Sequence, residues 1–179
     1  MTEPDLAAAL REFQDRQAIY DCMMRYCRGI DRFDAELAKS AYHPGAIDDH
    51  GAFVGPADQF IDYAIALHDR LQQRTQHHIT NHIVELDGDA AHAESYYIFR
   101  SLNKEVPWHS IASGRYIDRL ERRDGRWGIV ARICTVEVRD QGWDPGGDQL
   151  DGPNQRTSRD RSDPSYTRPV TIDPSRFTQ

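Results

Sequence analysis

The sequence has little of what marks many functional classes. It contains no run of about 18 apolar residues, so nothing in it reads as a membrane-spanning helix. It has only three cysteines, Cys22, Cys27 and Cys134, in 179 residues. An odd count without paired spacing argues against a disulfide framework or a zinc cluster, and for reduced thiols in the cytoplasm. The opening Met1-Thr2-Glu3-Pro4-Asp5 lacks the basic-then-apolar pattern of a secretory leader. There is no Gly-rich phosphate loop, nucleophile elbow or Cys-x-x-Cys, so nucleotide, serine-hydrolase and thiol-redox chemistries have no support. Positive charge is also short. With 22 Lys and Arg against 29 Asp and Glu, the net charge is -7. That balance disfavours nucleic acid or an anionic membrane as the main partner.

What is present is periodic. Leu6, Leu10, Phe13, Ile19, Met23, Tyr26 and Ile30 recur at helical steps, with a slip near Asp15 that marks a possible break. Asp34 suits the N-cap of a second helix over Ala35–Tyr42, which His43-Pro44 stops. A short strand follows over Ala46–His50, and Gly55-Pro56 opens a third helix carrying Phe60, Ile61, Ala64, Ile65 and Leu71. From Thr75 the period changes to two. Thr75–Leu86, Ala90–Asn103, His109–Glu121 and Arg126–Val138 read as four strands, with hairpin turns at Asp87-Gly88 and Asp124-Gly125. Helices followed by a meander predict an α+β domain, its helices packed on one face of a curved, mostly antiparallel sheet. The domain spans residues 1–140. Residues 141–179 are rich in Pro, Gly, Asp and Arg and read as an extended or flexible C-terminal tail, one that can lie across a neighbouring subunit.

Candidate functional residues emerge from this frame. Asp31 closes the first helix and His77 opens the first long strand. Together they suggest a carboxylate that orients an imidazole base. Tyr26 is either a core aromatic or a hydrogen-bond donor on the same helix. Arg132 sits among Val130, Cys134 and Val136 on a strand apolar on both faces, so it needs an anionic partner or a polar cavity. The same strand predicts a homodimer or homotrimer that covers the outer sheet face. Asp48 and His50 share a face and are expected to line the pocket. His43, Asp48, Asp49 and His50 are a weak metal candidate, because the two aspartates point to opposite faces of a strand. His78 has the wrong parity to join His77 in one cavity, and His82, His92 and His109 read as solvent-facing or interfacial.

Tyr26 and Asp31 in Tyr-x-x-x-x-Asp, the Gly-Pro helix, His77 and Asn81 in Thr-x-His-x-x-x-Asn, and Arg-Asp-Gly-Arg-Trp in the last hairpin carry a resemblance. Over roughly residues 10–140 the chain resembles the SnoaL-like branch of the nuclear transport factor 2-like superfamily. That branch includes hexachlorocyclohexane dehydrochlorinase, bile acid 7α-dehydratase and, more loosely, scytalone dehydratase. The resemblance implies a conical fold enclosing an apolar cavity, with no cofactor or metal. It implies a His77–Asp31 dyad that removes a proton, aided by Tyr26 and Arg132. Phe99 stands where the bile acid enzyme has a second acid, and Val136 where it has an Arg, which argues against bile acid dehydration. The expected function is a cofactor-independent, dehydratase-like lyase or an isomerase, acting on a hydrophobic, cyclic oxygenated small molecule. The alternative is a non-catalytic ligand-binding or assembly module, similar to a ring-hydroxylating oxygenase small subunit.

Overall fold

The structure, a computed structural model, describes residues 6–140 and 160–162. The tail expected from residue 141 onward lies, apart from 160–162, outside the described residues.

Helix α1 (Leu6–Arg32) is unbroken, because no Gly or Pro interrupts it before Gly29. The break expected near Asp15 is not there. The Asp15 carboxylate leaves the helix surface to accept bonds from Trp127 Nε1 at 2.8 Å and from Arg122 Nη1 at 2.8 Å. The slip in the apolar pattern is therefore a polar anchor to the sheet. Ile19, Cys22, Met23, Tyr26 and Ile30 form the buried stripe of α1. Helix α2 (Ala35–Lys39) is capped as expected, Asp34 accepting from the Leu37 N–H at 3.1 Å. It is shorter than Ala35–Tyr42. A Cβ added at Gly29 would collide with the Ala38 backbone, so glycine is what lets α1 and α2 touch.

Strand β1 (Tyr42–Asp49) begins earlier than expected and runs through Pro44, with a register shift between Tyr42 and Ile47. The shift gives the proline, which has no N–H to donate, a place in the ladder. A three-residue β2 (Val54–Pro56), not foreseen, pairs with β1 before helix α3 (Ala57–Leu71). The meander is β3 (Gln72–Asp87), β4 (Ala90–Asn103), β5 (His109–Arg123) and β6 (Arg126–Asp140). Strand order is β2-β1-β6-β5-β4-β3 in one open sheet, antiparallel except where β1 lies parallel to β6. The helices cover its inner face, and the core of α1, α3 and inner-face side chains lies between.

Two bulges decide which residues enter that core. In β3 the pairs Ile79↔Tyr97 and His82↔Ser95 leave one extra residue on β3. In β6 the pairs Ile129↔Leu120 and Ala131↔Arg119 leave Val130 as the extra residue. An extra residue reverses the side-chain alternation beyond it. His77 and His82 thus face the same side despite opposite parity. Ile129 and Arg132 likewise both point inward, while Ala131 and Ile133 are exposed. Strict alternation would put Trp127, Ile129, Ala131 and Ile133 on one face; the bulge at Val130 separates the first two from the last two.

Candidate active site

Asp31 occupies the last turn of α1, where the helix dipole disfavours a carboxylate. It is held there by β3. Its Oδ1 lies 2.8 Å from His77 Nδ1, and its Oδ2 accepts the His77 backbone N–H at 2.8 Å. Burial alone would raise the Asp31 carboxyl, but the charge and hydrogen bonds of His77 outweigh it and leave the group below its ordinary value. With Nδ1 engaged by Asp31, His77 Nε2 is the ring nitrogen left for chemistry. Phe99, paired with His77 across β3 and β4, packs its ring 4.8 Å from the imidazole.

Tyr26, one turn before Asp31, sets its ring 6.2 Å from His77 and 6.4 Å from His50. Its hydroxyl is 3.3 Å from His50 Nε2. Burial, opposed by Arg132, holds the phenol well above its ordinary range, so the hydroxyl keeps its proton. His50 follows β1, its ring stacked on Phe60 of α3 at 4.0 Å, with Nδ1 hydrogen-bonded to Asp48 Oδ1. The other Asp48 oxygen accepts the Tyr42 hydroxyl at 2.6 Å. Asp48 and His50, expected to share a face, are joined directly.

Arg132 takes a different position from a cavity-lining cation. It is 1% exposed, with Nε and Nη2 bonded to Asp118 at 2.7 and 2.8 Å. Its guanidinium carbon lies 4.4 Å from the Tyr26 ring centre and 4.2 Å from that of Tyr116. Of the two readings open for Arg132, an acidic partner or a polar cavity, the acidic partner describes this geometry. The arginine stands behind Tyr26.

The remaining histidines divide. His43 is buried, its Nε2 bonded to the Glu121 carbonyl at 2.9 Å and its Nδ1 accepting from Arg126 at 3.0 Å. It is thereby kept away from Asp48 and His50. His78 and His92 are exposed. His82, expected to face solvent or an interface, is half-buried on the inner side. The β3 bulge turns it inward, where Nδ1 meets Ser95 Oγ at 2.8 Å and its ring contacts Tyr20 edge-on. Sequence reasoning missed His68 of α3, 6.1 Å from His77 and 5.3 Å from Phe99, and missed Tyr42, Phe60 and Tyr116. Among these, His68 had a readable signal in its helical spacing from Phe60 and Ala64.

Helices laid on the inner face of a curved, unclosed mixed sheet are the nuclear transport factor 2-like fold. Residues 11–133 match the SnoaL-like domain family, more than half of the chain, and the protein belongs to that family. Solved structures share the architecture. A type 2 hexachlorocyclohexane dehydrochlorinase is 19% identical with a TM-score of 0.70, over 78% of this chain and 99% of that one. A Novosphingobium aromaticivorans protein assigned as a scytalone dehydratase is 16% identical with a TM-score of 0.66, over 76% and 96%. A Mycobacterium tuberculosis protein of unknown function is 25% identical with a TM-score of 0.62, over 70% and 77%. No curated protein matches the chain. Among the described residues, no helix is long and apolar enough to cross a membrane.

Proposed function

We propose that the protein is a cofactor-independent lyase or isomerase of the dehydratase type, with His77 as general base. The observation that carries this reading is the pair of hydrogen bonds that Asp31 accepts from His77, 2.8 Å from the ring Nδ1 and 2.8 Å from the backbone N–H. A carboxylate fixed at both oxygens holds one tautomer, presents Nε2, and stabilises the imidazolium formed when a proton is taken. Phe99, Phe60 and Tyr26 give the neighbourhood the apolar, aromatic character suited to a hydrophobic ring. Arg132 acts from behind, holding Tyr26 in place through its π face. Family membership and the dehydrochlorinase and dehydratase folds support proton abstraction as the reaction type.

The test is proton exchange, which needs no leaving group. In D2O the protein should catalyse α-deuterium incorporation into an enolisable ketone such as cyclohexanone, read by NMR. His77→Ala should lower that rate about 10²–10⁴-fold, the range for a positioned general base. Asp31→Asn should also be slow, since an amide holds the ring without stabilising its charge. A folded His77→Ala variant with native exchange rates would remove His77 from the mechanism.

A further inference from the structure

A second His–Asp pair stands across Tyr26 from the first, and its construction differs. Asp48 is fully buried. It accepts from His50 Nδ1 with one oxygen and from the Tyr42 hydroxyl with the other. His50 Nδ1 therefore carries a proton, and Nε2 points at the Tyr26 hydroxyl 3.3 Å away. Stacking on Phe60 at 4.0 Å fixes the ring plane. The surrounding charges ask for a cation. Asp48 and Asp118 flank Arg132 in direct register across β1, β6 and β5, and none of the three is more than 1% exposed. Two carboxylates beside one guanidinium leave a buried negative charge that an imidazolium at His50 cancels.

We propose that His50, locked by Asp48, is the cationic proton donor of this site and serves the oxygen of an enolisable carbonyl substrate, opposite the base His77. The assignment rests on His77 being the base. Taking a carbon-bound proton next to a carbonyl puts the electron pair into a new C=C bond and the carbonyl π pair onto oxygen. That oxygen takes the Tyr26 hydroxyl proton while the Nε2 proton of His50 moves to Tyr26. The products of the step are an enol, His77 with one proton more and His50 with one fewer. Collapse of the enol returns the oxygen's proton to His50 by the same route, while His77 either gives its proton back to carbon or passes it to a β-substituent that leaves with its bonding electron pair. A halide leaving from a saturated halocarbon has no oxygen to serve, so this donor marks a carbonyl compound.

The groups facing His50 are consistent with the cationic form. Asp48 lies on β1, Tyr26 on α1, Cys134 on β6, Phe60 on α3, and Tyr116 on β5 at 5.9 Å between rings. Burial alone would lower the imidazole, but the hydrogen bond and charge of Asp48, with Cys134 beside it, carry it up to about 9. At neutral pH the ring holds both protons.

The probe is 4-nitrophenol, an aromatic mimic of an enol whose anion is coloured. At a pH below its solution pKa, the native protein should bind it as the yellow phenolate. His50→Gln and Asp48→Asn should weaken phenolate binding about 10- to 100-fold, the effect of losing one charged hydrogen bond. Histidine ¹⁵N NMR of the native protein should show His50 doubly protonated below about pH 9, a reading that needs no variant to fold. Probe bound in its neutral form, no saturable binding at millimolar probe, undiminished phenolate binding in both variants, or a neutral His50 ring would each overturn the proposal. Ketone exchange reads the base separately. Exchange present with a colourless bound probe strikes the His50 assignment alone, and exchange absent with phenolate still held strikes the His77 reading on which it rests.

Discussion

Asp31 and His50 respond to pH in opposite directions, and both responses follow from their partners. The folded Asp31 carboxyl lies below its ordinary value, so its contribution to stability is present above the unfolded value of about 3.8 and lost as pH falls through the folded one. His50, raised from 6.5 to about 9, contributes fully below about pH 6.5 and loses that contribution as pH rises through about 9. Cys27, raised from 9.0 to about 12, adds to alkaline loss only above about pH 9. Between pH 6.5 and 9, then, a falling Tm is expected for the native protein, and His50→Gln should flatten it. A native Tm that does not change across this window would contradict the Asp48–His50 pair as described. Arg132 gives a second prediction at this scale. Removing it alone strands Asp118, so Arg132→Met should cost about 3–5 kcal/mol in denaturant unfolding. The double variant Arg132→Met with Asp118→Leu should recover much of that loss.

At the scale of elements, the two bulges explain what the sequence shows and what it hides. Asp31 is legible because it sits one residue before α1 stops, and His77 because it lies ahead of the bulge between Ile79 and His82. The curved sheet and the capped α2 are legible too, since the period change at Thr75 and the Asp34 cap are local signals. The faces of His82 and Ile133 are not. Each lies beyond a bulge, and strict alternation assigns every later residue to the wrong side. The parallel partnership of β1 with β6 is equally hidden, because nothing local in Tyr42–Asp49 names a strand some 80 residues away. A further irregularity is testable. β5 and β6 shift register between Ser113 and Gly114, and a Cβ at Gly114 would overlap the Thr135 carbonyl oxygen. Gly114→Ala should therefore cost about 3 kcal/mol or more, read by denaturant unfolding, because backbone rather than a flexible side chain must move. A near-neutral result would mean the β5–β6 ladder relaxes freely at this point.

For the whole molecule, the unresolved physical problem is the outer face of the sheet. Helices cover only the inner face, yet Ile83, Ile98, Ile117 and Ile133 remain 37–58% exposed on four successive strands. Ile117 and Ile133 are direct partners across β5 and β6. Glu94 lies in register between Ile83 and Ile117 and pairs with Arg115, which also pairs with Glu137, so compensated charges are interspersed with the isoleucines. Exposed apolar side chains interspersed with paired charges suit a protein interface, and a second copy of the chain supplies a matching surface by symmetry. The expected state is a homodimer or homotrimer burying on the order of 1,000 Å² or more in total. Sedimentation at micromolar concentration should report an oligomer. Ile117→Lys, which places a charge at the centre of the patch and leaves the inner face untouched, should shift it toward monomer without lowering ketone exchange per chain. A native protein that sediments as a monomer would remove this interface, and loss of exchange on dissociation would instead place the partner copy close enough to the site to complete it.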